Sequence, residues 1–99
     1  MDIESLLDPI EGFDWDDGNS LKNWEKHQVS QEEAQSVFFN RPLIVIHGKY
    51  PEKEKRWGAL GKTEDGRELF IAFTIRNSKL RVISARPMSE LDRRIYHGG

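Results

Sequence analysis

Residues 67–86 read RELFIAFTIRNSKLRVISAR, and the fold turns on how this stretch pairs with itself. Leu69-Phe70-Ile71-Ala72-Phe73-Thr74-Ile75 is a β-branched and aromatic run, Leu80-Arg81-Val82-Ile83-Ser84-Ala85 is a second, and Asn77-Ser78-Lys79 lies between them. Two such runs joined by a few turn residues predict a β-hairpin. With Asn77-Ser78 as a two-residue turn, Arg76 faces Lys79 and Thr74 faces Arg81. That register gathers Leu69, Ile71, Phe73, Ile75, Leu80 and Val82 on a core face. It sets Arg76 and Arg81 with Phe70 and Ala72 on the opposite face, and it points Arg86 away from them. A three-residue turn would separate Arg76 from Arg81; the continuous core face favours the shorter one. Arginine on a central hairpin must pair with a carboxylate or face an anion outside the chain.

Outward from the hairpin, the remaining elements follow from local signals. Glu11-Gly12-Phe13-Asp14-Trp15 alternates as a short edge strand, with Phe13 and Trp15 on one face. Asp16 or Asp17 caps a helix through about Gln28, with Leu21, Trp24 and Gln28 at helical spacing. Ser30-Gln31-Glu32-Glu33 is a capping box that opens a second helix, ending near Asn40 before Pro42. Leu43-Ile44-Val45-Ile46 reads as a strand buried on both faces, and Glu54 to Gly61 as another. Asp65-Gly66 is a turn into the hairpin, and Ser89-Glu90-Leu91-Asp92 opens a final short helix carrying Arg93, Arg94 and Tyr96. The order predicts an α+β two-layer sandwich: a mainly antiparallel sheet, two N-terminal helices on one face and a short C-terminal helix. Residues 1–10 read as a flexible arm and 11–97 as a single domain. The second sheet face is then left for solvent or a ligand.

The 99 residues suffice for one core without staples, and the chain has no cysteine. The acidic N-terminus lacks the pattern of a secretory signal, and no apolar run approaches the ~18 residues of a membrane span. A cytoplasmic protein with no membrane contact is expected. The net charge of -2 conceals a division. Residues 1–40 carry ten acids against Lys22 and Lys26, whereas residues 41–99 carry thirteen Lys and Arg against seven acids. Such a division fits a basic surface for a polyanion, or two halves that neutralise each other where they pack.

No Gly-rich phosphate loop, HExxH, GxSxG or Cys/His metal spacing occurs, and His27, His47 and His97 lie on three different elements. No metal site and no cofactor is expected. The arginines are the stronger signal: a basic face with aromatic content suits phosphates and unstacked bases, while arginine clusters also serve structural and partner interfaces. Lys26-His27 suits the dipole at a helix C-terminus. Trp15, Trp24 and Trp57 read as packing residues, with base stacking as the alternative for Trp57.

A wider pattern runs through these residues. Trp15-Asp16, Asn23, Lys26-His27, Val29-Ser30, Glu32-Glu33-Ala34 and Val37-Phe38 are followed by Glu54, Arg56, Gly61, Gly66-Arg67 and Arg76. Arg81-Val82-Ile83-Ser84-Ala85-Arg86, Arg93 and Tyr96 complete it. Over roughly residues 11–96 the chain resembles the BrnT family of bacterial toxins. The resemblance implies a fold like that of RelE-type ribonuclease toxins, RNA cleavage that stops translation, and neutralisation by a BrnA-type antitoxin. It further implies that this antitoxin carries a ribbon-helix-helix part, through which alone the complex meets operator DNA. Three positions depart from the family pattern: Asn19 stands where lysine is common, Gln28 where glycine is usual, and Asp92 where glutamate is general. Gln28 demands another cap or a strained residue. Asp92, if it orients an active-site arginine, would make this a weak copy.

On that footing the expected activity is metal-independent cleavage of RNA by an endoribonuclease, the 2′-hydroxyl attacking the adjacent phosphorus. Arg76 and Arg81 are expected to clamp the phosphate, with Arg56 and Arg86 supporting and Trp57 stacking. His27 or Lys26 is the expected base and Tyr96 the proton donor. The alternative is a non-catalytic module whose basic face binds a partner protein or nucleic acid.

Overall fold

In the predicted hairpin, β4 (Glu68–Arg76) and β5 (Lys79–Pro87) pair antiparallel around the two-residue turn Asn77-Ser78. Both turn residues have positive φ, 53° and 62°, which matches the turn twist to that of the strands. Arg76 pairs with Lys79, Ile75 with Leu80 and Thr74 with Arg81, as the core-face argument requires. The computed structural model describes residues 11–15, 17–47 and 56–98, so the arm assigned to 1–10 and the residues Glu54 and Lys55 of the expected strand lie outside the described residues.

Three more strands complete one sheet. β1 (Gly12–Asp14) runs parallel to β5, β3 (Arg56–Lys62) pairs antiparallel with β4, and β2 (Ile44–His47) pairs antiparallel with β3. The strand order is β1-β5-β4-β3-β2. Helix α1 (Asp17–His27) packs against β5, and α2 (Gln31–Val37) lies against β3 and β4. Helix α3 (Glu90–Tyr96) follows β5 and returns over β3. The two capping boxes form as read: Ser30 Oγ accepts from Glu33 N at 3.1 Å, and Ser89 Oγ accepts from Asp92 N at 3.1 Å. Gly66, at φ 83°, makes the turn into β4.

Alternation along the strands divides the sheet into two faces. One presents Trp57, Ala59, Leu69, Ile71, Phe73, Leu80, Val82 and Ala85, all buried, to Ala34, Val37 and Phe38. Phe73 sits at its centre, edge-on to Phe38 at 5.2 Å and stacked on Trp57 at 5.8 Å. A Cβ at Gly61 would stand 2.6 Å from Val37 Cγ1, so only glycine lets α2 approach β3 this closely. On the other face, among the described residues, the cover lies at one end, where Met88 and Tyr96 pack on Leu60 with Ile44 and Phe70.

Three sequence expectations fail, for local reasons. The strand read as buried on both faces is β2, which ends the sheet order and pairs with β3 alone, so that Ile46 is exposed and Ile44 and Val45 are half-buried. Trp24 is 54% exposed, because α1 turns Asn23, one residue and about 100° away, to the sheet. Arg86 shares the face of Arg76 and Arg81. The ladder shifts between Ala72/Ser84 and Phe73/Val82, leaving Ile83 as an extra residue on β5. This bulge resets the alternation, so that Arg86 lies opposite Phe70 and Ala85 opposite Ile71. Among the described residues no helix is long and apolar enough to cross a membrane.

Candidate active site

The partly covered face holds the arginines. In register order, one row across the strands is Arg56 on β3, Thr74 on β4 and Arg81 on β5, continued on β1 by Asp14. Arg76 and Lys79 form the next row towards the hairpin turn. In the opposite direction come Gly58, Ala72 and Ser84, then Leu60, Phe70 and Arg86. Neighbouring strands lie about 4.8 Å apart, so the Arg56, Arg76, Arg81 and Lys79 cations share one small patch. Thr74 is buried at 2% exposure beneath it, and Arg81 and Arg86 are half-buried.

Arg86 is fixed from three sides. Its guanidinium lies 4.4 Å from the centroid of the Phe70 ring, its Nη1 donates to Asp92 Oδ2 at 2.8 Å, and the same Nη1 donates to Pro87 O at 3.1 Å. Phe70 is pinned in turn, since a Cβ on Gly58 would come within 2.7 Å of its ring. Asp92 also accepts from Ser89 N at 2.9 Å. Burial pushes the Asp92 carboxyl up, but the Ser89 amide, the Arg86 guanidinium and the Ser89 hydroxyl outweigh it and hold the group below the ordinary aspartate range. The carboxylate that departs from the family pattern thus both caps α3 and holds Arg86.

Other residues expected at the site lie elsewhere. His27 O accepts from Arg67 Nη2 at 2.7 Å and Gln28 O accepts from Arg67 Nη1 at 2.8 Å, which ties the end of α1 to the chain entering β4. Arg76 ends that nine-residue strand, roughly 27 Å away at about 3.3 Å per residue. Lys26 and His27 therefore do not converge with Arg76 and Arg81. Trp57 is buried on the core face against Phe73, and stacking on a base beside the arginines is closed to it. Its alternation on β3 is opposite to that of Arg56. Tyr96 lies under α3 beside Leu60, and its hydroxyl donates to Pro42 O at 2.7 Å. Burial, and then the Glu68 carboxylate, raise this phenol above its ordinary range, so it stays a donor committed to Pro42.

Gln28 has the positive φ, 52°, that glycine would adopt without strain. Its own amide stands in for a cap, donating to Glu25 O at 3.2 Å and Trp24 O at 3.4 Å. Arg67 also reaches Glu33 Oε2 at 3.3 Å, a contact where the acidic N-terminal half meets the basic C-terminal half. Asp14, Thr74 and Ser84 belong to the arginine face and did not stand out in the sequence. The alternation of Phe13 and Trp15 gives the parity of Asp14, but its partner strand becomes known only from the parallel β1–β5 pairing. Among the described residues no three His, Cys, Asp or Glu side chains are grouped to hold a metal.

The fold has a counterpart among solved structures. A crystal structure of the Brucella abortus ribonuclease toxin BrnT superposes with a TM-score of 0.59 at 23% sequence identity, covering 80% of this chain and 97% of that one. A comparison with curated proteins returned no match. The family model described as the ribonuclease toxin BrnT of type II toxin-antitoxin systems matches residues 15–92, a span from the end of the β1 segment to Asp92. With the first two helices, strands β2 to β5 and the four arginines of the site all inside that match, the chain belongs to the BrnT family of ribonuclease toxins.

Proposed function

We propose that the chain is an endoribonuclease that cleaves RNA without a metal ion and so halts translation in the cytoplasm. The observation that carries this reading is the projection of Arg56, Arg76, Arg81 and Arg86 from one sheet face that α3 covers at one end alone. Rigid, permanently charged donors on such a face suit a phosphodiester whose charge grows as the 2′-oxygen adds to phosphorus. Arg76 and Arg81 grip the scissile phosphate, Arg56 neutralises it from β3, and Arg86 fixes the chain one step along the face. This reading gives no step to Lys26 and His27 at the far end of β4, to the buried Trp57, or to Tyr96, whose hydroxyl is bonded to Pro42 O. The same face suits neutralisation by a BrnA-type antitoxin with a ribbon-helix-helix part, through which the complex meets operator DNA.

Incubation of purified protein with total RNA in EDTA, beside an Arg76→Ala/Arg81→Ala variant of matched melting temperature, tests the reading. The parent is expected to leave 2′,3′-cyclic phosphate and 5′-hydroxyl ends, and the variant to cut at least about a hundredfold more slowly. A parent that binds RNA without cutting it would reassign the face to a non-catalytic module. Equal cutting by both would remove the two arginines from the site.

A further inference from the structure

Lys26 and His27 lie at the far end of β4, and among the described residues the sheet register brings a carboxylate to the arginine face instead. Phe13 on β1 pairs with Leu80 and packs into the core beside Phe38. Asp14, the next residue, therefore turns to the opposite face, level with Arg81. It ends the four-strand row Asp14–Arg81–Thr74–Arg56, with about 14 Å between the backbones of its first and last members at about 4.8 Å per strand.

Three carboxylates serve this side of the sheet among the described residues, and two are committed. Asp92 is held by Arg86 and Ser89. Glu68 is bonded by His97 Nε2 at 2.6 Å and approached by Arg93 Nε at 3.4 Å. The half-buried Asp14 carboxylate makes no ion pair or hydrogen bond among the described residues. A carboxylate merely neutralising Arg81 would be locked to it, as Asp92 is to Arg86.

We propose that Asp14 is the general base of the cleavage, an inference that rests on the ribonuclease reading above. Asp14 takes the proton of the 2′-hydroxyl as the 2′-oxygen bonds to the adjacent phosphorus. The bond from phosphorus to the 5′-oxygen breaks, and that oxygen takes a proton from water. The products are a 2′,3′-cyclic phosphate and a 5′-hydroxyl, and Asp14 returns its proton to solvent. Arg76, Arg81 and Arg56 hold the negative charge on the non-bridging oxygens throughout. A short side chain at the edge of the row reaches the sugar, while the long arginines reach past it to the phosphate.

The test compares the parent with Asp14→Asn, Asp14→Ser and Asp14→Glu. Two quantities are measured: the single-turnover rate on RNA at saturating protein, and affinity for a fully 2′-O-methylated RNA, which cannot be cut. Asp14→Asn and Asp14→Ser are expected to slow cleavage by about 10²–10⁴-fold while binding the uncleavable RNA as tightly as the parent or more tightly. Asp14→Glu is expected to recover part of the lost rate. Cleavage by either carboxylate-free variant at close to the parent's rate overturns the assignment and leaves the ribonuclease reading standing. A parent that does not cut RNA overturns both. The second carboxylate-free variant decides the matter if the first does not fold.

Discussion

The two faces of the sheet are made from alternate residues of the same strands, yet they obey different rules. On one, Ala59, Leu69, Ile71, Phe73, Val82 and Ala85 are fully buried and meet α2 and the chain beside it. On the other, the same strands carry Arg56, Arg76, Arg81 and Arg86, and α3 shields only the end at Leu60 and Phe70. The first face is explained by burial alone, since each Leu, Ile, Val or Phe side chain removed from water contributes about 1.5–3 kcal/mol. The second gains nothing comparable from folding. Cations gathered on it at strand spacing repel one another, and the field they make suits an anionic ligand beyond the carboxylate that Arg86 already holds.

The same contrast appears between two arginines at opposite ends of the β4 hairpin arm. Arg67 is used up internally by two helix-end carbonyls and Glu33. Arg76 stands exposed at the other end, beside Lys79 and diagonal to Arg81.

The largest expected effect comes from exchanging the faces. An alanine inserted between Ser84 and Ala85 reverses the parity of everything beyond it and drives Arg86 into the core side without Asp92. Burying that charge unpaired should cost about 3–5 kcal/mol, read as a collapse of the urea midpoint. A midpoint equal to the parent's would mean that the Ile83 bulge does not govern which face Arg86 takes.

A smaller effect separates the two arginines. Arg67→Ala should lower stability by about 1–2 kcal/mol through three lost charge-assisted bonds, tempered by partial exposure. Arg76→Ala, a change at an exposed strand end, should lose less, within about 1 kcal/mol of the parent. Urea unfolding of both checks this; equal losses would make Arg76 a structural residue.

The smallest effect is pH-dependent and concerns the link between α3 and the arginine face. The folded-state pKa of Asp92 lies below its unfolded value, so the stability it contributes is complete above about pH 4 and is lost as pH falls through the folded value. Asp92→Asn should be less stable than the parent at pH 6 by about 1 kcal/mol, and the gap should narrow steadily below pH 4. Thermal melts across that range check the sign; a gap that widened in acid would contradict it.

Much of this was legible in the sequence because the signals are local. The capping boxes at Ser30 and Ser89 and the Asn77-Ser78 turn depend on a few neighbouring residues, and the core face of the hairpin depends on strict alternation. What escaped depends on pairing across the chain. The bulge at Ile83 leaves no mark in a continuous β-branched run, so simple alternation puts Arg86 on the wrong face. The parallel pairing of β1 with β5 joins residues some 67 positions apart, and no local signal in the sequence links Asp14 to Arg81. His27 and Lys26 fit the chemistry by residue type, but α1 ends where Arg67 holds it, away from the phosphate-binding arginines. Trp57 had two readings, packing or stacking, and its parity on β3 selects the first.

The most direct test of the account is the salt dependence of affinity for a 2′-O-methylated RNA. It compares the parent with Arg76→Ala/Arg81→Ala and with Arg93→Ala/Arg94→Ala, which removes equal charge from α3. The account predicts weaker binding by the hairpin variant and a slope of log affinity against log salt shallower by about 1.4, two phosphate contacts at about 0.7 each. The α3 variant should keep the parent's slope. An unchanged slope in the hairpin variant, or an equal loss in both, would contradict the assignment of the arginine face to RNA.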